Sequence, residues 1–193
     1  MSVNLIFIIN AGGKGKNRPE DWKRLLIKLL ELNIEPLDEY DADGNRIKPT
    51  GDWKLDTFVD YDGVFMVEFD GAFRYSITMY ENIVTILCIH RYWILYDNYQ
   101  TDGFVRFRKE LYQITRVFGG SEGIYLPDNL CKLSIYYELA TQNTPYETIK
   151  TKMIKQYGKP VTDFSRLKTS DTECEKPTEF FLEKFEDLKR GKS

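Results

Sequence analysis

The chain has 193 residues, of which 42% are hydrophobic, 30% charged and 15% aromatic, and its formal net charge is −3. This length suits one domain, with or without an appendage, and a core that buries roughly 70% of the unfolded surface. Such an aromatic content excludes a wholly disordered chain, and the acidic balance argues against a protein built on phosphate contacts with nucleic acid.

Three cysteines, Cys88, Cys131 and Cys174, lack C-x-x-C spacing, and one histidine, His90, leaves little material for a zinc site. Reduced thiols in a cytoplasmic protein without a metal or other cofactor are the expectation. The N-terminus lacks the basic start of a signal peptide. No run approaches the ~20 apolar residues of a membrane span, so no membrane association is expected.

Val3 to Ile9 is a continuous apolar run rich in β-branched residues, which predicts a buried central strand. A Gly/Lys loop follows, and then a helix from about Pro19 to Leu32. Its signals are a proline in the first turn, the acids Glu20 and Asp21 at the positive end of the dipole, and the stripe Trp22, Leu25, Leu26 and Leu29. Residues 38–62 are polar, with turn signals at Asp43-Gly44 and Pro49-Thr50-Gly51. A three-strand meander is expected over about 63–89. Asp70-Gly71 is its predicted two-residue type I′ turn, and Glu81-Asn82 turns the chain again. Phe73, Tyr75, Ile77 and Met79 alternate with Arg74, Ser76 and Thr78, the period-2 pattern of a strand.

Residues 90–100 suit either a strand or a helix. Asp102 caps the next predicted helix, whose face is Phe104, Phe107, Leu111, Ile114 and Phe118, and Gly119-Gly120 ends it. Ile124 to Leu126 reads as a short strand. Thr144, Pro145 and Glu147 form a capping-box pattern ahead of a helix with Tyr146, Ile149, Met153 and Tyr157 as its stripe. Residues 165–177 read as a linker, and 178–190 as a C-terminal helix with Phe181, Phe185 and Leu188 on one face, docked or partner-binding. The expected class is therefore α+β: a largely antiparallel sheet packed by three or four helices, with an N-terminal strand–loop–helix and one domain over 1–164.

Several apparent motifs fail on context. Gly119-Gly120-Ser121-Glu122-Gly123 matches the nucleophile elbow G-x-S-x-G, but a helix precedes and a strand follows, the reverse of the required order. Ala11 to Lys16 lacks Walker spacing and the hydroxyl that holds magnesium. Asp41 to Asn45 places its glycine too early for a calcium loop. No catalytic residue is assigned.

The informative asymmetry lies between Glu35 and Asp70. This stretch holds eleven acids against three bases, a net charge of −8, together with Tyr40, Trp53, Phe58, Tyr61, Phe65 and Phe69. Acids interleaved with aromatics suit a surface that meets a basic protein partner. Residues 141–170 carry six bases against two acids, so the chain is dipolar. The expected function is a small binding or inhibitory protein, such as a toxin-neutralising immunity protein. Its predicted partner-binding residues are Tyr40, Asp41, Asp43, Asp52, Trp53, Asp56, Asp60, Tyr61 and Asp62. The alternative is an enzyme or ligand-binding protein that holds an anionic small molecule with Lys14, Lys16 and Arg18 at the Gly/Lys loop 11–18.

Overall fold

A computed structural model describes residues 4–11, 19–36, 39–40, 46–47, 60–61, 64–88, 102–128, 139, 142, 144–164, 167 and 179–189. Its elements in chain order are β1 (Asn4–Asn10), α1 (Pro19–Glu31), β2 (Glu35–Pro36), β3 (Glu39–Tyr40), β4 (Arg46–Ile47), β5 (Asp60–Tyr61), β6 (Val64–Asp70), β7 (Arg74–Met79) and β8 (Ile83–Cys88). They continue with α2 (Asp102–Val117), β9 (Gly123–Asp128), α3 (Tyr146–Tyr157), β10 (Phe181–Glu183) and α4 (Glu186–Lys189). The main sheet runs β10-β9-β1-β8-β7-β6-β2, with β5 also paired to β6, and all its strand pairs are antiparallel. Helices alongside an antiparallel sheet make the α+β class, and β6-β7-β8 is the expected meander.

Strand alternation divides the core into two layers. Leu5, Phe7 and Ile9 of β1 point to one face, where they meet Leu25 and Leu29 of α1 and Phe104, Phe107, Leu111 and Ile114 of α2. Ile6 and Ile8 point to the other, against Tyr146, Ile149 and Met153 of α3. β1 lies between β8 and β9 with both faces covered, which is why its sequence is a continuous apolar run. Cys88 is buried in the first layer.

Helix ends follow local chemistry. Asn33, at φ 55°, takes the left-handed position after α1, and the amides of Asn33 and Ile34 donate back to Leu30 and Leu29. Gly119, at φ 75°, does the same after α2, with Gly119 and Gly120 donating to Arg116 and Thr115. The capping box expected at α3 does not form. Pro145 occupies the cap position with no side-chain cap hydrogen bond, and its carbonyl accepts from Thr148 and Ile149. Thr144 lies one residue too early to reach those amides, and Glu147 turns to Lys150 instead.

Two further expectations are corrected. Asp70-Gly71 is not a two-residue turn: Asp70 pairs with Arg74, which leaves a three-residue connection of Gly71, Ala72 and Phe73. Gly71 is not at positive φ, and the Ala72 amide donates to the Glu110 carboxylate of α2, so a long-range bond sets the turn. The segment 178–190 is not one helix. Phe181–Glu183 is a strand on the edge of β9, followed by one helical turn. The reason is the sheet edge. Phe180 and Leu182 pack on one core layer and Phe181 and Phe185 on the other, a period-2 division that a helix cannot supply. Of the expected linker only Leu167 is described, and it is buried. Residues 90–100, including His90, lie outside the described residues.

Candidate functional site

The sheet edge at β6 gathers the two ends of the acidic stretch. β7 occupies one side of β6. On the other side Glu35 and Pro36 of β2 pair with Asp70 and Phe69, while Asp60 and Tyr61 of β5 pair with Phe65 and Val64. The chain therefore leaves the sheet at one end of β6 and returns at the other end of the same edge. The two feet stand four residues apart along β6, roughly 14 Å at strand rise. Between them, β3 and β4 form a separate two-stranded sheet in which Tyr40 pairs with Arg46.

Of the predicted partner-binding residues, Tyr40, Asp60 and Tyr61 are thus placed on strands, and Asp60 and Tyr61 lie on the β6 edge. Asp41, Asp43, Asp52, Trp53, Asp56 and Asp62 lie outside the described residues, as do Lys14, Lys16 and Arg18.

Arg74 Nη2 donates to Glu68 Oε2 at 2.7 Å. Asp70 is exposed, and the register sets it directly opposite Glu35 on one side and Arg74 on the other. Arg74 lies outside the stretch 35–70, so Glu68 is matched by a base that the charge count over the stretch omits.

Three ion clusters escaped the sequence reading because their partners are far apart in the chain. Glu110 is buried on the inner face of α2. Its two carboxylate oxygens accept from the Ala72 amide at 2.9 and 3.1 Å, and Oε1 also accepts from Arg106 Nε at 3.2 Å. Burial raises its pKa, opposed by the Ala72 amide and Arg106. Arg108 donates to both oxygens of Glu183, at 2.9 and 3.1 Å, and to both of Asp187, each at 3.0 Å, clasping β10 and α4 to α2. Burial alone would lower the Arg108 pKa, but the bonds to the two carboxylates outweigh it. Lys150 of α3 donates to Glu122 Oε1 at 2.6 Å. An acid interrupting the apolar stripe 104, 107, 111 and 114 is the one signal that could have drawn attention to Glu110.

These clusters hold elements together and present no catalytic arrangement. Ser121 is exposed in the bend between α2 and β9, outside any nucleophile elbow. Among the described residues no group of three His, Cys, Asp or Glu side chains could hold a metal ion. No described helix is long and apolar enough to cross a membrane. Comparison of the chain with protein-family models, with curated proteins and with solved structures finds no match.

Proposed function

We propose that this protein is a small cytoplasmic binding or inhibitory protein whose acidic, aromatic stretch docks a basic protein partner; a toxin-neutralising immunity protein is one version. The observation that supports the reading is the mounting of that stretch. Within a segment of net charge −8, residues 35–36 and 60–61 both pair with one edge of β6. Concentrated negative charge speeds encounter with a basic surface, and aromatic side chains hold the complex once water is excluded. Capture from the cells that make the protein tests this. Wild type retains a basic partner, and the Asp56→Asn/Asp60→Asn/Asp62→Asn variant retains much less of it. Equal capture by both would sink the proposal.

A second reading places an anionic small molecule at loop 11–18. Its support is the strand-to-helix order of β1 and α1 around that loop. Thermal denaturation with a panel of nucleotides and inorganic phosphate is expected to raise the midpoint in wild type and not in Lys14→Ala/Lys16→Ala. No shift with any anion removes this reading.

A further inference from the structure

The turn between β6 and β7 is held to α2 by the Glu110 carboxylate and by the Phe73 ring, which meets Phe107 edge-on at 5.5 Å. Glu110 is only 3% exposed, and both its oxygens accept the Ala72 amide. Gly71 makes this approach possible: a Cβ there would overlap Glu110 Oε2 and come within 2.8 Å of the Tyr75 ring. The charged and titratable neighbours of Glu110 among the described residues are Arg106 on its own helix, Tyr75 on β7 and, behind Tyr75, Cys88 on β8. The turn, Gly71-Ala72-Phe73, contributes no titratable side chain.

The carboxylate is poorly compensated for its depth. Its cation, Arg106, has a side chain that is 56% exposed, so water screens the pair. The Tyr75 hydroxyl is buried beside Glu110 with no partner at hydrogen-bond distance; its interaction with the carboxylate, like those of the Ala72 amide and Arg106, favours the charged form, and burial outweighs all three. A neutral carboxyl would still accept the Ala72 amide and would bring a donor of its own beside that hydroxyl.

We propose that the Glu110–Ala72 contact is a proton-sensitive latch between α2 and the β6–β7 turn, held more tightly when Glu110 is protonated. Opening the turn returns the carboxylate to water and removes the burial cost of its charge, so deprotonation favours the open state and protonation the closed one. The raised pKa caused by burial has the same sign: stability is gained as pH falls through the folded-state value and lost as pH rises through it. The latch stands at the Asp70 end of β6, where β2 is paired, and it does not depend on what the acidic edge binds.

Nuclear magnetic resonance of the Ala72 amide tests this in the full chain. The amide shift is expected to titrate with a midpoint above that of an exposed glutamate. Its protection from exchange, corrected for the intrinsic rate, rises as pH falls through that midpoint. The rise is about tenfold for each pH unit by which the midpoint exceeds that of an exposed glutamate. Glu110→Gln abolishes the titration and is as protected at neutral pH as wild type is in acid. Asp70→Asn leaves the midpoint in place, which excludes the nearer exposed carboxyl as the source. Protection that is constant or falls on acidification, or a Glu110→Gln turn less protected than wild type at neutral pH, would overturn the latch.

Discussion

Replacing Gly123 with alanine is expected to destabilise the fold by about 1–3 kcal/mol, the usual cost of overpacking a filled core. Gly123 is buried at the start of β9, paired with Ile9 of β1 on one side and Glu183 of β10 on the other. A Cβ at this position would enter the ring of Phe7. Phe7 cannot yield easily, because the Tyr125 ring stands 4.5 Å from it and the Phe185 ring 6.0 Å. Urea denaturation of wild type, Gly123→Ala, Phe7→Leu and the double variant measures the conflict. The alanine is expected to cost clearly less in the Phe7→Leu background, where the smaller side chain leaves room. Equal costs in the two backgrounds would mean that the ring is not the obstacle.

The second large effect is expected at Arg108. Arg108→Met leaves the carboxylate of Glu183, 8% exposed, without its cation. Breaking a buried pair from one side costs about 3–5 kcal/mol. The lower end, about 3 kcal/mol, applies here because the Arg108 side chain is 23% exposed and Asp187 is more exposed still. Asp187→Asn alone is expected to cost less than about 1 kcal/mol. Adding Glu183→Gln to Arg108→Met recovers part of the loss, since the amide oxygen can still accept the Phe185 N–H that Glu183 Oε1 accepts at 2.9 Å. Hydrogen exchange of the Leu182 and Phe185 amides locates the damage in β10 and the segment after it. An Arg108→Met protein within about 0.5 kcal/mol of wild type would show that the clasp contributes little.

Much of this fold was legible because local rules and tertiary structure agree. β1, with apolar side chains on both faces, declares itself a central strand, and the stripe of α2 names the residues that face the sheet. The failures share a cause. At Gly71 a hairpin signal yielded to Glu110, which captures the Ala72 amide from thirty-eight residues away. At residues 178–190 helical spacing was present, but the open edge of β9 offered backbone bonds and two apolar faces, and Phe180 and Phe185 took both. Nothing in the sequence joins Arg108 to Glu183 and Asp187, because the partners are separated by seventy-five and seventy-nine positions. The acidic stretch was visible as composition from the start. Pairing of both its ends with one edge of β6 was not visible, because β2 and β5 are only two residues long and carry no periodicity.

Association kinetics with the captured basic partner test the docking proposal most directly. The rate constant for wild type is expected to be high at low salt and to fall steeply as salt is added, because steering acts through screened charge. Asp56→Asn/Asp60→Asn/Asp62→Asn is expected to associate slowly, with little dependence on salt and a folding stability close to that of wild type. Association of the variant at the wild-type rate, with the same salt dependence, would contradict the proposal that the acidic stretch on the β6 edge is the docking surface.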